Sequence, residues 1–193
     1  MTTLTNSRAK RYMPTLVVPS AARRSALDLA SKRVIDIVLA TVGVIILTPL
    51  WLVVALLIRI SDRGPAFFKQ TRVGKNGQTF TMYKFRTMRV DAEQVKASLE
   101  AANRADVGAG NSVMFKMRDD PRVTRVGRVL RKTSIDELPQ LFNVIKGDMS
   151  LVGPRPPLPS EVATYEPHVM GKFSVRPGIT GLWQISGRSN LSW

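Results

Sequence analysis

Two adjacent carboxylates, Asp136 and Glu137, are the residues whose types and spacing best suit chemistry. A basic segment ending at Arg131 and Lys132 precedes them. Acidic neighbours beside that much positive charge suit phosphate chemistry, because one carboxylate can attack phosphorus while the other holds a hard cation. We therefore treat Asp136 and Glu137 as a candidate catalytic dyad, and Arg131 as a candidate bidentate phosphate ligand.

A purely structural role for the dyad stays open at this point. Ser134-Ile135-Asp136-Glu137 matches a capping box, in which Glu137 folds back on the cap. Ser134 or Thr133 would then cap a predicted helix over 135–145, and acidic residues in a first helical turn are favourable by themselves.

Further arginines lie where phosphate could be bound. Arginines recur every three residues from Arg122 to Arg131, a spacing that brings neighbours together on a helix. The alternative reading of that set is a solvated basic face against acidic lipid. Arg155 and Arg176 each lie beside proline-stiffened turns, and Gly147 suits a helix C-cap ahead of the first of these turns.

Composition restricts the possible chemistry. The 193 residues carry a net charge of +15, which implies an anionic partner such as nucleic acid, anionic lipid or a phosphorylated substrate. Cysteine is absent and His168 is the sole histidine, which we read as an ordinary loop residue. Thiolate and histidine metal clusters are therefore excluded, and an oxygen-bound cation, Mg²⁺ or Mn²⁺, is the expected metal.

An uncharged apolar run from Ile37 to Ile58 indicates a membrane element. As a straight helix it would be about 33 Å long, enough to cross a bilayer core of about 30 Å. Thr48-Pro49 lies at its midpoint, where proline removes a helical hydrogen bond. Because both flanks are basic, we expect a re-entrant helix broken at Thr48 and Pro49 that keeps both ends cytoplasmic. A kinked span and a buried soluble helix are the alternatives.

The remaining elements follow from local signals. Residues 1–31 are expected to form a basic, mostly disordered tail with a short helix from about Ser25. Two strands, over 66–70 and 79–85, flank a turn at 75–78 and predict a hairpin. A helix is expected over 91–104, and the glycine-rich stretch 106–112 reads as a linker.

Several longer motifs, taken in order, make the chain recognisable: residues 32–36 (KRVID), 84–88 (KFRTM), 120–124 (DPRVT), 131–140 (RKTSIDELPQ), 147–156 (GDMSLVGPRP) and 176–184 (RPGITGLWQ). Over about 31–193 the chain resembles the bacterial sugar transferases, the monotopic phosphoglycosyl transferases that start lipid-linked glycan assembly.

The resemblance implies a reaction. A UDP-sugar gives its sugar-1-phosphate to a polyprenyl phosphate, usually undecaprenyl phosphate, and UMP leaves. Asp136 would be the nucleophile of a covalent phosphosugar intermediate, and Glu137 would help to bind Mg²⁺. Together with Arg131, the basic residues of the matching motifs become candidate ligands of the substrate phosphates: Lys84, Arg86, Arg155 and Arg176.

The resemblance also implies the architecture. We expect an α/β fold, with a small mixed core, amphipathic surface helices and an N-terminal re-entrant helix-break-helix at 32–60. A catalytic domain over 61–193 would lie on the cytoplasmic face of the bacterial inner membrane, as a monomer or an oligomer. Family members usually continue beyond the position of Trp193, so the family's C-terminal segment is expected to be lacking.

Two other classes of function compete with the enzyme. One is an inactive membrane scaffold of a glycan-assembly complex. The other is a membrane-tethered binder of anionic lipid or nucleic acid. Nucleic-acid modules interleave aromatic and basic residues. Aromatic residues are only 7% of this chain and lie mostly near apolar segments, so we expect no nucleic-acid partner.

Overall fold

The structure is a computed structural model that describes residues 25–95 and 120–181. The predicted tail up to residue 24, the predicted helix beyond residue 95, the glycine-rich stretch 106–112 and the last part of the final motif lie outside the described residues. Helices and two small two-stranded sheets are both present, so the expected mixed class is confirmed.

Helix α1 runs from Ala26 to Asp62 and is about 56 Å long at 1.5 Å per residue. Most of its large apolar side chains are exposed, and those of Ile45, Ile46 and Leu52 are each 68% exposed. By length and composition α1 could cross a membrane, and no other helix in the described ranges is long and apolar enough to do so. Only 17% of its most apolar window is buried, which argues against a soluble core helix.

The helix continues through Pro49, and no interruption is seen at Thr48 or Pro49. One lost hydrogen bond does not end a helix whose other residues are mainly leucine, isoleucine, valine and alanine. The helix expected from about Ser25 is the first part of α1, which runs on into the apolar part. The break remains an expectation.

The predicted hairpin is confirmed. Strands β1 (Phe67–Val73) and β2 (Thr79–Phe85) form a two-stranded sheet, and β1 extends three residues beyond its predicted end. A 3₁₀-helix at Lys75–Gly77 makes the turn between them. Asn76 and Gly77 adopt positive φ angles of 57° and 72°, which asparagine and glycine tolerate best.

The described residues fall into two compact units. The first unit comprises 25–47, 69–83 and 139–181, and the second comprises 48–68, 84–95 and 120–138. In the first unit, helix α3 (Gln140–Lys146) precedes strand β3 (Ser150–Val152), which pairs in parallel with β4 (Gly178–Thr180). Helix α4 (Pro159–Val162) and a 3₁₀-helix at Pro167–Ser174 lie between these strands in sequence.

Buried polar side chains hold the first unit together. Asn143 is fully buried, accepts a hydrogen bond from the Tyr83 amide and donates to the Thr81 carbonyl. Asp36, near the start of α1, accepts hydrogen bonds from the Ser150 hydroxyl and the Leu151 amide. These bonds fix α3 to β2 and the start of α1 to β3.

Helix α3 ends at the predicted C-cap, Gly147. Gly147 has a φ of 102°, and its amide donates to the carbonyls of Asn143 and Val144. The guanidinium of Arg33 donates to the carbonyls of Val144 and Ile145, which satisfies further oxygens at this helix end.

The second unit has an aromatic core around Phe85, which is 1% exposed. The Phe85 ring stacks on Phe67 at 5.2 Å between centroids and meets Trp51 edge-to-face at 6.2 Å. Helix α2 (Arg125–Thr133) packs in this unit and is amphipathic, with Leu130 buried and Arg125, Arg128 and Lys132 exposed.

Candidate active site

The dyad lies on a single 3₁₀ turn, Ile135–Glu137, directly after α2. Ser134 separates the two elements in the left-handed conformation, with a φ of 59°, so α2 cannot continue through it. Pro139 then separates the turn from α3. The predicted continuous helix over 135–145 is therefore wrong, because it is divided at Pro139 into the 3₁₀ turn and α3.

The capping-box reading of the dyad is also wrong. Ser134 makes no side-chain capping bond to this turn, and Glu137 does not fold back on it. The Glu137 carboxylate instead accepts a hydrogen bond from Lys84 at the end of β2, with 2.6 Å between Oε1 and Nζ. Lys84, predicted as a phosphate ligand, is thus brought to the dyad as the partner of Glu137.

Asp136 is the buried member of the pair, at 8% exposure. Burial raises the pKa of its carboxyl above the ordinary value of 3.8, although the positive charges of Lys84 and Arg131 oppose the rise. Glu137 adds to it as a like charge. Desolvation therefore outweighs the two neighbouring cations.

Thr87 holds Arg131 in place. The Arg131 Nε donates to the Thr87 hydroxyl at 2.9 Å, and within the described ranges that is the only hydrogen bond of the Arg131 side chain. The two terminal nitrogens of Arg131 therefore remain able to donate to a phosphate. Thr87 itself is fixed by α2, because the Thr124 amide donates to its carbonyl at 3.0 Å.

Helix α2 is capped by Thr124, whose hydroxyl accepts a hydrogen bond from the Gly127 amide at 2.9 Å. Just before it, Asp120 accepts bonds from both the Nε and an Nη of Arg122. The Arg122 guanidinium lowers the pKa of Asp120, and Arg131 contributes to the lowering. Arg122 is therefore a structural partner of Asp120.

The other predicted phosphate ligands are placed differently. Arg86 lies against Gly64, and its buried Nη1 has no hydrogen-bond partner among the described residues.

Arg155 and Arg176 belong to the first unit. The Nη2 of Arg155 lies 3.6 Å from the Oε1 of Glu161. The Nε of Arg176 donates to the Gly147 carbonyl at 2.9 Å. His168 is exposed, as expected of an ordinary surface histidine.

Two kinds of cation site can be compared: one built from protein ligands alone, and one in which the cation binds together with the substrate. The dyad suits the second kind better. No cluster of three or more acidic or histidine side chains occurs within the described ranges. Mg²⁺ is commonly bound through one or two carboxylates, several waters and substrate phosphates. Asp136 and Glu137 supply that number of carboxylates.

Sequence reasoning missed the residues that position the site. Thr87 and Thr124 lie in motifs at 84–88 and 120–124, but no role followed from the motifs alone. Gly127 gave no signal, since a glycine inside a helical pattern looks only unfavourable. Thr124 was the one detectable case, because threonine just before a helical segment is a usual N-cap.

Comparisons with known proteins agree with the motifs. The model of the bacterial sugar transferase family matches residues 27–193. A galactosyl transferase, CpsE, of Streptococcus agalactiae serotype III is 51% identical over 164 residues, which cover 85% of this chain and 35% of the relative.

Two further relatives are similar. The exopolysaccharide production protein ExoY of Sinorhizobium fredii is 47% identical over 163 residues, 84% of this chain and 72% of the relative. An undecaprenyl-phosphate galactose phosphotransferase of Salmonella typhimurium is 46% identical over 173 residues, 89% of this chain and 35% of the relative. The matched region thus spans about a third of the length of two of these relatives.

Proposed function

Since this chain belongs to the bacterial sugar transferase family, we propose that it transfers a sugar-1-phosphate from a UDP-sugar to undecaprenyl phosphate and releases UMP. The observation that carries the proposal is the position of Asp136, buried beside Glu137, Lys84 and Arg131. A scaffold or a simple anion binder would not need a buried carboxylate among these charges.

In the first half-reaction, a carboxylate oxygen of Asp136 attacks the phosphorus that carries the sugar. The bond from that phosphorus to the bridging oxygen breaks, and UMP leaves with the electron pair. Lys84 and Arg131 offset negative charge in the transition state. Arg131 is suited to this task because Thr87 holds its Nε and leaves its terminal nitrogens to the phosphoryl oxygens.

In the second half-reaction, a phosphate oxygen of the polyprenyl phosphate attacks the same phosphorus. The acyl phosphate bond to Asp136 breaks, and the carboxylate is regenerated. Two steps suit two anionic substrates, because the second phosphate approaches after UMP has left. Glu137 would hold Mg²⁺, which neutralises diphosphate charge when bound.

The sugar is the least constrained part of the proposal. Two of the relatives are named for galactose transfer. We therefore propose a hexose-1-phosphate, glucose or galactose, as the transferred group.

We expect UMP release when the full chain, in detergent or nanodiscs, meets undecaprenyl phosphate, Mg²⁺ and a UDP-hexose. EDTA should abolish turnover and added Mg²⁺ restore it, because a hard cation must shield the diphosphate. A luminescent UMP assay over a panel of UDP-sugars measures this. Without acceptor, UMP should not exceed one equivalent per protein. Release of no UMP from any UDP-sugar would refute the proposal, and turnover in EDTA would refute the role of Glu137.

We further propose that α1 enters and leaves the membrane on the cytoplasmic side. Basic residues flank its apolar part on both sides, with Lys32 and Arg33 before it and Arg59 and Arg63 after it. Pro49 at the middle of the apolar part suits a bend.

The topology can be tested because the chain contains no cysteine. Single cysteines at the exposed positions Ser25 and Lys69 should react with an impermeant thiol reagent only after the cells are permeabilised. A cysteine at Ile45, within the apolar part, should stay unlabelled and serves as the control. Labelling of one end from outside intact cells would establish a span and refute re-entry.

A further inference from the structure

The ion pair between Lys84 and Glu137 engages the same carboxylate that would hold a metal ion. The Lys84 Nζ lies 2.6 Å from the Glu137 Oε1, and the two side chains are only 22% and 30% exposed. A charge-assisted bond of this length, largely shielded from water, is stronger than an ion pair on the open surface. A cation of the chain itself therefore neutralises Glu137.

Lys84 also acts on the other member of the dyad. Burial is the largest influence on the pKa of Asp136 and raises it, but Lys84 is the nearby charge that lowers it most, ahead of Arg131. Glu137 acts on Asp136 in the opposite sense, as a like charge. One ammonium thus offsets two neighbouring carboxylates, which is the electrostatic role that a divalent cation takes in a carboxylate site.

Neither partner depends on the ion pair to hold its backbone. The Glu137 amide donates to the Ser134 carbonyl at 3.2 Å, which closes the turn through backbone atoms. Lys84 belongs to β2, and the next residue, Phe85, is anchored in the aromatic core. Because the lysine side chain is a flexible chain of four carbons, its ammonium can move while the strand stays in place.

A divalent cation and the Lys84 ammonium cannot share the Glu137 carboxylate. The two oxygens of one carboxylate are too close together to hold both positive charges without strong repulsion. Glu137 is also the one acceptor that the described residues offer this ammonium, so its release is costly unless other anionic oxygens are within reach. The oxygens of a diphosphate would supply them.

We propose that Lys84 competes with the divalent cation for Glu137 and so couples metal binding to substrate binding. Without substrate, Lys84 holds the carboxylate and keeps the cation out. When a diphosphate binds, the Lys84 ammonium moves to the phosphate oxygens, and Glu137 becomes free to bind the cation. The identity of the diphosphate rests on the proposed function, whereas the competition for Glu137 can be measured without it.

The competition is tested on the full chain in a neutral detergent, with Mn²⁺ as the probe and with no nucleotide or lipid substrate. The EPR signal of free Mn²⁺ gives the affinity. Lys84→Met should bind Mn²⁺ about tenfold more tightly than the wild type, or better, because a competing charge-assisted bond is lost. Lys84→Gln, which can still donate to Glu137, should show a similar gain. Lys84→Arg keeps the cation and should stay near the wild-type affinity.

Two controls locate the effect. Lys132→Met removes the same charge from an exposed position in the same unit, and should change the Mn²⁺ affinity by less than about twofold. Lys84→Met combined with Glu137→Gln should lose the added affinity, because the competing carboxylate is gone. Mn²⁺ should also raise the unfolding midpoint of Lys84→Met more than that of the wild type.

Unchanged Mn²⁺ affinity in both neutral variants of Lys84 would overturn the inference. So would a gain that persists without the Glu137 carboxylate, an equal gain in Lys132→Met, or loss of the folded state in both neutral variants, which would show that Glu137 cannot be left without Lys84. These readouts need no turnover. A gain in Mn²⁺ affinity without any UMP release would leave the competition standing and refute the proposed function, and UMP release without the gain would do the reverse.

Discussion

Gly127→Ala should destabilise the protein by about 2–3 kcal/mol and lower its turnover, since it forces the backbone apart where α2 meets Thr87. A Cβ atom at Gly127 would lie 2.0 Å from the Thr87 carbonyl oxygen and 2.6 Å from its carbonyl carbon. Backbone atoms cannot rotate away as a side chain can. The hydroxyl of Thr87 accepts the Arg131 Nε, so displacement of Thr87 also displaces a cation beside the dyad.

The sign of this effect decides between two views of Gly127. If it were merely a poor helix former in α2, alanine would stabilise the protein by about 1 kcal/mol. Gly171→Ala is the matched control, because a Cβ there meets no atom within 4 Å. The unfolding midpoint in detergent and the rate of UMP release check both variants. A midpoint at or above that of the wild type for Gly127→Ala would show that α2 does not press on Thr87.

The parts of the fold that were predictable are those with local causes. The hairpin follows from two short strand segments around a turn that contains asparagine and glycine, and Gly147 ends α3 through its own positive φ. The apolar run of α1 can be recognised from composition alone. In each case residues that are close in the sequence determine the secondary structure.

The parts that failed depend on residues far apart in the sequence. A capping box is a local signature, but Glu137 binds Lys84, which lies 53 residues away in the sequence. The reason is that a charged donor binds a carboxylate more strongly than a backbone amide does. The contact between Gly127 and Thr87 likewise joins two segments that are distant in the sequence, and neither segment alone predicts it.

The charge state of the candidate nucleophile shows the same limit. A cation such as Arg131, five residues before Asp136, would by itself lower the pKa of that carboxyl. The pKa of Asp136 is instead raised, and burial is the largest cause. Burial is a property of the assembled unit, so the sequence could identify the nucleophile and its cationic neighbour but not which effect prevails.

Asp136→Asn should abolish turnover and covalent labelling, because the amide keeps the shape of the side chain but is not a nucleophile. Wild-type protein incubated with UDP-sugar carrying label in the sugar, and no acceptor, should retain up to one label per chain. Asp136→Asn should retain none, while Glu93→Gln, which removes an exposed carboxylate, should label fully. Full turnover in Asp136→Asn would refute the covalent mechanism.

The same variant should be as stable as the wild type or more stable at neutral pH, which separates loss of catalysis from loss of fold. Because burial raises the pKa of Asp136, the folded chain binds its proton more tightly than the unfolded chain does. Stability therefore falls as pH rises through the interval between the unfolded value, near 3.8, and the higher folded value. Asparagine carries no charge and escapes that loss.

The advantage of Asp136→Asn over the wild type should thus be present at pH 7 and shrink as the pH falls below the folded pKa, where Asp136 is itself neutral. Unfolding midpoints of both proteins across this range measure it, with Glu93→Gln expected to show no such gain. A variant that is less stable than the wild type at every pH would mean that the carboxylate holds the turn together, and the dyad would return to a structural role. A stable, inert variant instead identifies Asp136 as a group kept buried at a cost to folding, which is expected of a nucleophile.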